Sequence, residues 1–165
     1  FDIDDTFAFS AKDMPASDSV IIVRAGDRDY SVPKAFIRGI ETLLKLDENG
    51  MPVRISFYSA GVAERNHTLL TAIRLPDGRS LLDISTKVLN REDRIDPAAQ
   101  FDASGNQIDK EVYQPSERMF RGQMKKDLRK IEANLERVIL VDDDRSYVLA
   151  GQEKNHLSVF WSVYD

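Results

Sequence analysis

The sequence predicts an α/β fold built around a largely parallel sheet. Two observations carry that expectation. Short apolar strands, each preceding a polar or helical segment, recur at "VRISFY", "RVILVDDD" and "HLSVFW". Between them lie segments whose apolar residues fall at helical spacing. The chain has 165 residues, 42% hydrophobic and 31% charged, which suits one soluble domain over residues 1–165. No run of about 18 apolar residues occurs, so no membrane span is expected.

The elements follow in order. "FDIDDTFAF" (1–9) crowds three aspartates into four positions between Phe1 and an apolar run. Phe1–Asp2 reads as the end of a strand, with a loop after it. One residue before Asp2 is too little for a central strand to pair, so further residues are expected upstream. "SVIIVRAGDRDYSV" (19–32) sets two β-prone runs around Gly26-Asp27, a usual hairpin turn pair. "VPKAFIRGIETLLKL" reads as a helix, with Pro33 in its first turn and Phe36, Ile40, Leu43 and Leu44 on one stripe. "DENG" (47–50) ends it.

Val53–Tyr58 reads as a buried strand stopping at "SAG", and Ala63–Ile73 as a helix stopped by "LPDG". Within "LLDISTKVLN" (81–90) a short strand is expected near Lys87–Leu89. Asp93–Gln114 is polar and turn-rich; its "FDASGNQIDK" suits a hairpin and lacks the acidic spacing of a calcium loop. From Lys126, "KDLRKIEANLE" reads as a helix with Leu128, Ile131 and Leu135 in register. Arg137–Asp144 is a strand ending in three acids, and His156–Trp161 a last strand.

Net charge is −5 and cysteine is absent. Disulfides, thiolate nucleophiles and zinc–thiolate sites are therefore excluded within this chain. An acidic balance is poor for general nucleic-acid binding, which needs clustered cations. The one basic concentration, "RMFRGQMKKDLRK" (118–130), reads most simply as a solvated helix face. With no signal or spanning segment visible, an intracellular protein is expected, with a secreted bacterial effector as the alternative.

The chemistry collects at strand ends. In an open parallel sheet, ligands bind beyond the carboxyl ends of the strands. Asp2 and Asp4, Ser59, and Asp142–Asp144 all stand at such ends. Carboxylates converging there repel one another, and a divalent cation would resolve the repulsion. All-oxygen donors suit Mg²⁺. In an extended "DIDDT", Asp2 and Asp4 point to one side and Asp5 to the other. Two such carboxylates can divide labour, one as nucleophile and one as general acid and base.

"FDIDDTF" resembles the first motif, D-x-D-x-T, of the haloacid-dehalogenase (HAD) superfamily of phosphatases. "ISFYSAG" is similar to the second motif, and "KKDL" followed by "VILVDDD" to the third and fourth. "SAGVAERNHTLL", "KVLNRED", Lys126-Asp127-Leu128 and Ser146-Tyr147-Val148 resemble the FCP1/small CTD phosphatase-like branch. The segment Arg74–Gly122 does not match that branch's usual insertion, and the acidic turn before Tyr147 is one residue short of its common form. The resemblance implies a Rossmann-like HAD fold: a central, mostly parallel sheet flanked by helices. A hairpin flap near residues 19–32 and a small insertion near 74–122 would stand in for a large cap.

The resemblance also implies roles. Asp2 would be the nucleophile that forms an aspartyl-phosphate, and Asp4 the acid and base. Ser59 and Lys126 would bind the phosphoryl group, with Lys126 preferred over Lys125. Mg²⁺ would sit between Asp2, the Asp4 carbonyl and Asp142 or Asp143, with Asp142 the first choice. Thr6 would brace the loop carrying Asp4, and His67 and His156 would be structural. The implied activity is a Mg²⁺-dependent phosphoprotein phosphatase acting on phosphoserine/threonine or phosphotyrosine. Two alternatives stay open: a catalytically silent binding module on the same fold, and a phosphatase of a polynucleotide 3′-phosphate.

Overall fold

Val20–Val23 is a run of four β-branched residues, and it forms the start of a hairpin rather than a helix. In the computed structural model, which describes residues 1–96 and 124–159, β1 spans Phe9–Ser10, β2 Val20–Ala25 and β3 Arg28–Pro33. The antiparallel register of β2 and β3 runs from Val20 opposite Pro33 to Ala25 opposite Arg28. Gly26 takes φ +63° in the two-residue turn, where a side chain would be strained. β1 adds to the other side of β3, an extension that the sequence reading missed.

Helix α1 (Lys34–Glu48) starts directly from β3, with Pro33 at its N-cap. Phe36, Ile37 and Ile40 are buried, and Leu43 and Leu44 pack against the same core. The Phe7 ring stacks on Phe36 with centroids 4.1 Å apart, and the Phe1 ring meets Phe36 edge-on at 5.6 Å. Such pairs add to area burial by about 0.5–1.5 kcal/mol each. The aromatic cluster thus anchors both ends of the Asp2–Thr6 segment.

Two parallel pairs follow. β4 (Ile55–Tyr58) pairs with β5 (Ser85–Leu89), and helix α2 (Ala63–Ala72) lies between them in the chain. β6 (Leu140–Asp142) pairs with β7 (His156–Ser158). Residues Phe1 and Asp2 join the pairs. The Phe1 nitrogen donates to the Ser56 carbonyl at 2.8 Å, and Tyr58 N–H to the Phe1 carbonyl at 2.9 Å, which is the parallel-ladder pattern. On the other side, Asp2 N–H donates to the Val141 carbonyl at 2.8 Å. The carboxyl ends of β4 and β6 therefore flank Asp2 along one edge. Overall the described residues form a mixed α/β arrangement of short parallel and antiparallel strands.

Some expectations need correction. "KDLRKIEANLE" is not an α-helix: it forms 3₁₀ turns at Leu128–Lys130 and Leu135–Arg137. Asn134 captures a backbone donor that the interior of the expected helix would use, while Asp127 and Gln152 cap its first turn. Asp127 accepts from Arg129 N–H, Asn134 from Glu136 N–H, and the Gln152 carbonyl oxygen from Leu128 N–H. Among the described residues no α-helix separates β5 from β6, and β7 ends at Ser158. "FDASGNQIDK", most of the insertion near 74–122 and Trp161 lie outside the described residues. No helix among the described residues is long and apolar enough to cross a membrane.

Candidate active site

Asp2 leaves the sheet with its backbone N–H bonded to the Val141 carbonyl and its side chain buried. Lys126 meets it there. Its Nζ lies 2.7 Å from Asp2 Oδ1 and 2.6 Å from Asp142 Oδ2, and all three side chains are almost inaccessible, at 0% for Lys126, 7% for Asp2 and 0% for Asp142. Lys126 is held from two directions. Its backbone N–H donates to the Tyr147 carbonyl at 2.9 Å, and its ammonium sits 4.8 Å from the centre of the Tyr147 ring. Lys125 faces elsewhere and donates to the Ser146 carbonyl.

The three acids after β6 have different partners. Asp142 takes Lys126, and its Oδ1 also accepts from Asp144 N–H at 2.9 Å. Asp143 exchanges two bonds with Thr6: the hydroxyl donates to Oδ1 at 3.0 Å and accepts from Asp143 N–H at 3.1 Å. Asp144 caps the next turn through Ser146 N–H at 2.8 Å. Thr6 therefore ties the first acidic loop, which carries Asp4, to the last one. One oxygen each from Asp2, Asp142 and Asp143 lies within 4.8 Å of the others, and this trio could hold a cation.

Electrostatics follow from burial. Burial raises the Asp2 carboxyl, Lys126 pulls it back and Asp142 pushes it up again, leaving it at about 6. Asp143 is raised mainly by burial, with Thr6 opposing and Asp142 and Asp5 adding repulsion. Burial would lower the Lys126 ammonium, but Asp2 and Asp142 outweigh it and the net shift is upward. The centre is a cation held between carboxylates whose repulsion it only partly relieves.

Asp4 and Ser59 form a second group beside the first. After Ile3 the chain turns back, with Phe7 and Ala8 N–H both donating to the Ile3 carbonyl and Asp5 at φ +56°. An aspartate tolerates that left-handed conformation better than most residues. The Asp4 carboxylate is not among the trio. Both its oxygens accept from the Arg65 guanidinium, and Ser59 Oγ lies 3.4 Å from Asp4 Oδ2.

Ser59 begins a tight turn at the end of β4. Its hydroxyl accepts from Gly61 N–H at 2.9 Å. The turn is pinned from behind by Asn66, whose amide donates to the Gly61 carbonyl and to Asn90 Oδ1, and by Arg91, which donates to the Ala60 carbonyl. Residues 92–160 match the family model of NLI interacting factor-like phosphatases. This is the FCP1/small CTD phosphatase-like family of HAD phosphatases, and phosphatase activity at that general level is what the match supports. No curated protein matches the chain.

The phosphatase match covers Lys126, Asp142–Asp144 and Tyr147, while Asp2, Asp4 and Ser59 precede it. The sequence reading singled out the stretches that carry Arg65, Asn66, Asn90 and Tyr147 but gave none of the four a role. One signal for Arg65 was available. Helical side chains lean toward the helix N-terminus, so an arginine in the first turn of α2 covers the turn that precedes it.

His67 and His156 lie outside both groups: the His67 carbonyl accepts from the Thr71 hydroxyl, and His156 belongs to β7.

Proposed function

We propose that the chain is a Mg²⁺-dependent phosphoprotein phosphatase in which Asp2 accepts the phosphoryl group and Asp4 serves as acid and base. The observation that carries this reading is the contact of Lys126 with both Asp2 and Asp142, beside Asp143, at the carboxyl edge of the parallel strands. Phosphoryl transfer needs alignment and charge stabilisation more than covalent help from the protein. Lys126 supplies a buried cation to the oxygens of the transferred group, and Ser59 a hydroxyl. Asp2 is aligned from the backbone on both sides. Asp2 and Asp142, with Asp143, would hold Mg²⁺, since three hard oxygen donors so close together fit that ion. When bound, it neutralises charge on the phosphoryl oxygens.

On this reading residues 1–165 form one HAD-like domain, and Phe1–Asp2 with β4–β7 are its central sheet. The β2–β3 hairpin acts as a flap, beside a small insertion near 74–122. The substrate is a phosphoprotein bearing phosphoserine, phosphothreonine or phosphotyrosine. Peptides carrying each of the three should be hydrolysed in Mg²⁺ and spared in EDTA. Release of phosphate from none of them, while the protein is folded, would end the proposal.

A second measurement needs no substrate. The Asp2 carboxyl is raised to about 6, so its protonated form holds the folded state better. That stability is complete below the unfolded aspartate range and is lost as pH rises through about 6. A cation that binds the ionised trio replaces it. Mg²⁺ should therefore raise the melting temperature clearly at pH 7.5 and hardly at pH 5. An equal shift at both pH values would show that the ion acts elsewhere.

A further inference from the structure

The Arg65–Asp4 pair does not fit a resting acid–base residue. A carboxylate with both oxygens engaged by one guanidinium can neither present a proton to a leaving group nor take one from water. For Asp4 to act, the fork must let go of at least one oxygen.

The position of Arg65 shows where it can go. The guanidinium packs directly on the turn that carries Ser59: a methyl group placed on Gly61 would come within 1.8 Å of Arg65 Nη2. That turn is fixed by Asn66 and Arg91, so its shape does not depend on Arg65 itself. The ion pair is also reachable, with the Arg65 side chain 25% and the Asp4 side chain 46% exposed. Both residues line a cleft of about 1160 Å³ between the β2–β3 hairpin and the start of α2, with Tyr30, Gly61 and Arg91.

We propose that Arg65 is a phosphate ligand stored on Asp4: on substrate binding it exchanges the Asp4 carboxylate for the phosphoryl group seated at Ser59. The exchange is chemically matched. The planar fork that grips a carboxylate grips a phosphate in the same way, and a phosphate dianion offers more charge. Asp4, nearly half exposed, regains water as its partner. One movement thus adds a phosphate contact and frees the acid. The inference rests on the phosphatase reading and adds a residue to it.

The test is calorimetric titration of inorganic phosphate into the full chain in Mg²⁺, for the wild type, Arg65→Gln and Arg65→Lys. Phosphate should bind Arg65→Gln about tenfold more weakly, and Arg65→Lys about threefold, because an ammonium keeps the charge without the fork. KM for a phosphopeptide should rise in the same order. Arg65→Lys preserves the pairing charge, so it remains informative if Arg65→Gln fails to fold. Equal phosphate affinity in the wild type and the variants would overturn this inference and leave the phosphatase reading standing. A folded wild type that binds no phosphate at all would remove both.

Discussion

Asp2→Asn should abolish turnover and leave the metal-free protein at least as stable at pH 7 as the wild type. The first half follows from the proposed role. An amide is a far poorer nucleophile toward phosphorus than a carboxylate, and losing a covalent nucleophile costs roughly a thousandfold or more in kcat. The second half follows from the environment. Asp2 is buried beside Asp142, and its carboxyl is raised to about 6 although Lys126 lies 2.7 Å away. At neutral pH the ionised form is therefore a net cost to the fold, and a neutral amide of the same shape relieves it. The advantage of the variant should shrink as pH falls through about 6, where the wild-type carboxyl takes up its own proton. Phosphate release and urea denaturation at pH 7 and pH 5 check both halves. Wild-type turnover in the variant would refute Asp2 as the nucleophile. A large loss of stability at pH 7 would show that the carboxylate is there for the fold.

Lys126→Met should do the opposite to stability. It removes the ammonium that faces Asp2 and Asp142 and leaves two buried carboxylates without their cation. Breaking a buried pair from one side typically costs about 3–5 kcal/mol, because the remaining charge has no solvent. The loss should be largest above pH 7 and smaller near pH 5, where Asp2 is protonated. Methionine keeps most of the volume, so packing against Tyr147 is retained and the effect reports charge. Turnover should fall with it. Mg²⁺ should stabilise this variant more than the wild type, since the trio then has no internal cation. Denaturation curves with and without Mg²⁺ read this directly. A cost below about 1 kcal/mol would mean that Lys126 balances little of the charge at this centre.

The two variants separate what a single knockout would confuse. Asp2 is held where its charge is unfavourable, which is the usual sign of a group placed for reactivity rather than for stability. On the proposed reading Lys126, at the same point, contributes to both.

Much of the framework was legible in the sequence because it is encoded locally. Gly26-Asp27 between β-prone runs specifies a hairpin, and the Phe36–Ile40–Leu44 stripe a helix. The apolar runs ending at Ser59 and Asp142 specify strands whose polar tips stand at the carboxyl end of the sheet. The helix expected from Lys126 failed for an equally local reason. Its apolar spacing was correct, but Asn134 supplies a side-chain oxygen that captures the Glu136 backbone donor and starts a new turn.

By itself the sequence determined which stretches carry the acids, the hydroxyl and the lysine, and in what order. Which neighbour does what was decided only by tertiary structure. Lys125 and Lys126, or Asp142, Asp143 and Asp144, are chemically alike, and successive residues along an extended backbone point to opposite sides. Their roles depend on what lies across from them: Asp2 stands 124 residues from Lys126, and Thr6 137 residues from Asp143. The fork of Arg65 on Asp4 is of the same kind, a bond across 61 residues that no local pattern records. The physical reason is that burial and pairing set the energy of a charge, and both are properties of the packed chain rather than of any segment of it.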